Sequence, residues 1–97
     1  MIRHIVFLKI PNCDDELKQK IKQEILSLRE SISVLKNMEV GLNFSPEERA
    51  YDIALIADFE SKDDLNIYAT NPTHLKLIQK LKELNTLSKV VDYELFK

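Results

Sequence analysis

The chain has 97 residues, 44% hydrophobic and 31% charged, a balance that suits one folded domain over residues 1–97 rather than a disordered segment. Fourteen basic residues are interspersed with sixteen acidic ones for a formal net charge of −2, so nothing marks a nucleic-acid surface. No apolar run approaches the roughly 20 residues that cross a bilayer, the N-terminus lacks a signal-peptide cleavage site, and the lone Cys13 has no internal disulfide partner; together these point to a reducing cytoplasm.

Ile2 to Ile10 is rich in β-branched and aromatic residues and stops at Pro11, which predicts a strand. Asn12 or Asp14 can cap a following helix, with Asp15 and Glu16 in its first turn. Leu17, Ile21, Ile25, Leu28 and Ile32 then form one apolar stripe at helical spacing. Met38 to Phe44 alternates apolar and polar residues, as a half-buried strand does. A polar turn at residues 45–49 leads to a second apolar run, Tyr51 to Phe59, and the two predict a hairpin. Ser61 caps a short helix carrying Leu65 and Tyr68. Asn71 and Pro72 are good cap and first-turn residues for another helix, whose stripe reads Leu75, Ile78, Leu81 and Leu84 or Asn85. Val90 to Phe96 is the last strand. The single glycine, Gly41, excludes a glycine-rich phosphate loop.

The order βαββαβ predicts an α+β, ferredoxin-like fold with a four-stranded antiparallel sheet and helices on one face. Alternation assigns the faces. His4, Val6, Leu8, Ile53, Leu55 and Asp92 look toward the helices, and Ile5, Phe7, Ile56, Tyr93 and Leu95 look away. Both faces are largely apolar, and the helices of so short a chain cover only one. The other is expected to meet a second copy, giving a homodimer packed sheet to sheet.

The helix-facing side is the unusual one, because His4 and Asp92 are ionisable groups that burial penalises. Tyr68 and His74 flank the second helix break, and a phenol with an imidazole is a natural pair for proton transfer near neutral pH. A cleft holding His4, Tyr68, His74 and Asp92, walled by Val6, Leu8, Ile53 and Leu55, is the expected ligand site. In it His74 would act as a general base beside a carbonyl, and Tyr68 would donate a hydrogen bond to the developing enolate. The plainer alternatives are a His74 that decorates its helix turn, a Tyr68 with its hydroxyl at the surface, and a hydrogen-bonded core His4. Asp92 could orient either histidine or pair with a lysine. His4, His74 and Asp92 could together hold a metal, but no set of residues has metal-ligand spacing in sequence, and no metal is expected; no cofactor is expected either. The lysines of residues 75–82 read as a solvated face, and Cys13 lacks the surroundings of a nucleophile.

Ile2-Arg3-His4-Ile5-Val6-Phe7-Leu8-Lys9, Tyr51-Asp52 leading to Phe59-Glu60-Ser61, Tyr68-Ala69-Thr70-Asn71-Pro72-Thr73-His74 and Val90-Val91-Asp92-Tyr93 together resemble the stress-responsive dimeric α/β-barrel (Dabb) domain family over essentially the full length. The resemblance implies a ferredoxin-like protomer and a dimer whose sheets close into a barrel. It also implies roles for Tyr68 and His74, since plant polyketide cyclases of the family use the matching tyrosine and histidine for an aldol-type ring closure without a cofactor. The family motif is Tyr-x-x-His-Pro-x-His. Asn71 stands at its first histidine, where it keeps the helix cap but supplies no acid or base. Three functions follow in order of preference: a homodimer binding a small apolar or phenolic molecule, a cofactor-independent cyclase or dimeric-barrel monooxygenase, and a structural interaction domain.

Overall fold

The computed structural model describes residues 1–96. Strands β1 (Ile2–Lys9), β2 (Asn37–Leu42), β3 (Ile53–Phe59) and β4 (Leu87–Glu94) and helices α1 (Asp15–Ser31), α2 (Lys62–Thr70) and α3 (Pro72–Glu83) follow one another in the order β1-α1-β2-β3-α2-α3-β4. The strands form one antiparallel sheet in the order β2-β3-β1-β4. This is the expected ferredoxin-like α+β arrangement.

Register fixes which side chains share a face. His4 lies opposite Ala57 and Asp92, Val6 opposite Leu55 and Val90, and Leu8 opposite Ile53 and Ser88. Each of these rows points toward the helices, because strand side chains alternate with period two. Leu8, Val40, Ile53 and Leu55 meet Ile21 and Ile25 of α1 and Leu81 of α3 in one part of the core. Ile2, Ala57 and Phe59 meet Leu28, Ile32 and Tyr68 in the other. The opposite face is bare. Phe7 is 46% exposed and Tyr93 40%, and Ile5, Ile56 and Leu95 are half-buried.

Local polar groups set the element ends. Asp14 is the cap of α1, its carboxylate accepting from the Leu17 N–H at 2.8 Å. Asn12 instead takes a left-handed φ of 55°, a conformation that asparagine tolerates well, and so serves the turn rather than the helix. The second strand ends at Leu42, short of the expected Phe44. Asn43 folds its amide onto Ser45, donating to the carbonyl and accepting from the N–H, which turns the chain and leaves Phe44 exposed. The third begins at Ile53 rather than Tyr51, because the Asp52 carboxylate accepts from the Ile10 N–H at 2.7 Å and holds the chain against the end of β1. The last strand runs from Leu87 to Glu94 rather than from Val90 to Phe96; pairing with residues 7–9 of β1 recruits Leu87, Ser88 and Lys89 despite their weak strand preference.

The α3 stripe is also rotated from its expected position. Leu75 is 51% exposed, whereas His74, Leu77, Ile78, Leu81 and Lys82 line the space over the sheet. Residues 74, 77, 78, 81 and 82 form one face at helical spacing. Counting apolar residues alone had hidden it, because the face begins with an imidazole and ends with an ammonium.

Candidate functional site

The break between α2 and α3 builds the chemical end of the site. The Ser61 hydroxyl accepts from the Asp64 N–H at 3.1 Å and starts α2, which delivers Tyr68 in its last turn. Asn71 closes α2, its N–H donating to the Tyr68 carbonyl at 3.2 Å. It also opens α3, its side-chain oxygen accepting from the Thr73 N–H at 2.9 Å. Pro72 follows, where a missing N–H costs nothing. His74 therefore lies in the first turn of α3, directly over Tyr68, with ring centroids 4.4 Å apart.

Hydrogen bonds orient both imidazoles. His74 Nδ1–H donates to the Ala69 carbonyl at 3.0 Å. A carbonyl can only accept, so in the neutral ring Nε2 holds the lone pair. His4 Nδ1 is 2.5 Å from Asp92 Oδ1 across the β1–β4 pair, which likewise leaves His4 Nε2 free of this contact. Of the roles open to Asp92, the observed one is to orient His4. The Tyr68 ring lies between the two, 6.1 Å from His4 and 5.0 Å from Phe59 by centroids.

Burial sets the protonation states. Tyr68 is 1% exposed, so its hydroxyl is not the surface group of the plainer reading. Loss of water pushes its pKa up to about 12 and keeps it protonated, as a hydrogen-bond donor. Burial also lowers the pKa of His74; the Ala69 carbonyl opposes the shift and the nearby His4 adds to it. His74 is therefore neutral at pH 7, the form required of a base. Cys13, by contrast, has its thiol pushed up by burial, which works against a thiolate.

A cavity of about 380 Å³ opens between sheet and helices. His4, Val6, Leu8, Leu55, Tyr68, His74 and Val90 line it. Ile53 is a core residue behind the wall, and Asp92 reaches the cavity through His4. A more open depression of about 450 Å³ beside Lys62, Leu65 and Tyr93 includes Asp92 but neither imidazole. Sequence reasoning missed Lys82, Thr86 and Ser88, which line the far end of the cavity. The rotated α3 stripe was the signal for Lys82, which lies at the cavity and not on a purely solvated face. The strand pairing that would have placed Ser88 is not visible in composition. Among the described residues no group of three His, Cys, Asp or Glu side chains could hold a metal ion, and no helix is long and apolar enough to cross a membrane.

Sheet order and helix placement define a ferredoxin-like α+β protein with a polar-ended cavity between sheet and helices. The chain belongs to the stress responsive A/B barrel domain (Dabb) family, whose model matches residues 2–95. It is similar to a dimeric protein of unknown function with a ferredoxin-like fold from Bacteroides fragilis, at 34% identity over 97% of this chain and 95% of that one, with a TM-score of 0.78. At3g17210 from Arabidopsis thaliana is 20% identical, with 100% and 97% of the two chains covered and a TM-score of 0.84. A hydroxynitrile lyase from Passiflora edulis is 18% identical, with 99% and 97% covered and a TM-score of 0.73. The likeness to these last two is one of fold. No curated protein matches the chain.

Proposed function

We propose that this protein is a homodimer that binds a small apolar or phenolic molecule in the cavity between sheet and helices. The observation that carries the binding reading is the enclosure of Tyr68, His74 and His4 around one apolar cavity, with both imidazoles held in fixed orientation. Buried polar groups without ligand partners are costly, and convergent ones in an apolar cavity are the usual mark of a binding site. The uncovered face with Phe7 and Tyr93, and the dimeric description of the Bacteroides fragilis relative, support the assembly. The half-buried, unpaired Cys13 suits a reducing compartment such as the cytoplasm.

Thermal unfolding against a panel of phenols, quinones and polyketide-like acids tests the site. A ligand at a hundredfold excess over its Kd stabilises the fold by about 2.7 kcal/mol. The shift is expected to vanish in His74→Ala; no shift across the panel would remove the binding reading. Sedimentation equilibrium tests the assembly, and a monomer at micromolar concentration would overturn it.

A second reading rests on the free Nε2 of neutral His74 beside the protonated Tyr68 hydroxyl. That pair can remove a proton next to a carbonyl and hold the resulting enolate by a hydrogen bond. The measurement is exchange of hydrogen for deuterium at the α-carbon of an enolisable aryl ketone in heavy water, followed by NMR. Catalysed exchange is expected in the parent protein, weakened in Tyr68→Phe and lost in His74→Ala. Exchange at the uncatalysed rate would leave the site as one for binding alone.

A further inference from the structure

The cavity has a second polar end. On α3, the face over the sheet starts at His74, passes through Leu77, Ile78 and Leu81, and ends at Lys82. On β4, the same polar–apolar–polar order appears as Asp92, Val90 and Ser88. The two orders coincide in space, because His4 pairs with Asp92 at one end of β1 and Leu8 pairs with Ser88 at the other. Eight helical steps from His74 to Lys82 rise about 12 Å, and four strand steps from Asp92 to Ser88 span about 13 Å. Two independent elements thus set one length between the imidazole end and the lysine end.

The far end contains unmatched hydrogen-bonding capacity. Lys82 forms no ion pair among the described residues, whereas the neighbouring Lys80 is paired with Glu24. Thr86 lines the cavity, and its hydroxyl is buried with no hydrogen-bond partner among the described residues. A buried hydroxyl without a partner is unusual and calls for one. Ser88 adds a second hydroxyl. An ammonium and two hydroxyls match a carboxylate, which accepts several hydrogen bonds and carries the complementary charge.

We propose that the ligand is a bifunctional acid: a phenol or ketone at the His4–Tyr68–His74 end, an apolar middle along Val6, Val90 and Ile78, and a carboxylate at Lys82, Thr86 and Ser88, with the two polar ends of the site about 12 Å apart. This rests on the binding role proposed above and specifies its ligand class. A ligand of this kind lies along the groove between α3 and β4 with one polar group at each end.

Isothermal titration with three probes tests it: para-hydroxyphenylbutanoic acid, its methyl ester, and para-propylphenol. The acid is expected to bind at least tenfold more tightly than either neutral probe. Lys82→Met is expected to abolish that preference, so that acid, ester and para-propylphenol bind within a fewfold of one another, and Thr86→Val to reduce it. Lys82 is exposed, so its replacement leaves the fold intact, which circular dichroism checks. Equal binding of acid and ester, or a preference that survives in Lys82→Met, overturns the carboxylate assignment while leaving the binding role standing. Failure of all three probes to bind overturns both.

Discussion

Strands β3 and β4 flank β1 on its two sides and have opposite fates. Both carry apolar residues on each face. Every residue of β3 is buried or half-buried, and every residue of β4 is exposed. Local sequence does not account for this, since Val90 and Val91 are as apolar as Ala54 and Ile56. The helix layer accounts for it. α1 lies against β2 and α3, and α2 lies against β3, so β4 has no helix packed closely over it. The cavity occupies the space left beside it. Burial in this fold is thus assigned by what the helices cover, and the cavity exists because one strand is left uncovered.

Matched truncations test that contrast most sharply. Phe59→Ala removes a fully buried ring at the end of β3 that touches Tyr68, and is expected to destabilise by about 3–5 kcal/mol in chemical denaturation. Val90→Ala on β4 is expected to change stability by no more than about 0.5 kcal/mol. Comparable losses at both positions would mean that β4 is as well covered as β3.

Between these extremes lies the joint that delivers Tyr68 and His74. Asn71→Ala removes the α3 cap and is expected to cost about 1 kcal/mol. It should also release His74, so ligand-induced stabilisation should fall by more than stability does. A purely structural cap would lower stability and leave the ligand-induced shift unchanged.

Smaller again is a pH effect with a defined sign. His74 has a folded pKa below its ordinary value of 6.5, so the unfolded chain takes up the proton first as pH falls. Stability from this group is complete above 6.5 and is lost as pH drops through the lower folded value. Asp58 gives a second, more acidic step. The Arg3 guanidinium holds its carboxyl below the usual carboxylate range, and Asn37 adds a weaker bond, so its contribution is lost only as pH falls below about 4. Denaturation midpoints taken across pH should show the first step vanish in His74→Gln and the second remain.

The element order, the two faces of the sheet and the caps at Ser61 and Asn71 were legible in the sequence. Alternation and cap chemistry are local, and local patterns survive folding. The same alternation placed His4, Val6, Leu8 and Leu55 on the cavity side. What stayed hidden depended on partners distant along the chain. Leu87 to Lys89 became strand only by pairing with β1. Asn85, at φ 59°, ends α3 in the left-handed conformation usually taken by glycine, and so fixes where Thr86 and Ser88 begin. Lys82 read as a solvated residue because a charge on an amphipathic helix normally is one.

The bare outer edge of β4 has a consequence for handling the protein. An edge strand with exposed Val90 and Val91 presents unpaired backbone groups that another chain can extend into a growing ribbon. Lys89, Asp92 and Glu94 are the charges that guard this edge, and Asp92 also orients His4. The carboxylate that orients His4 thus also stands on the edge strand. Replacing Asp92 with a neutral residue is therefore expected to raise self-association through this edge, which light scattering of a concentrated sample checks.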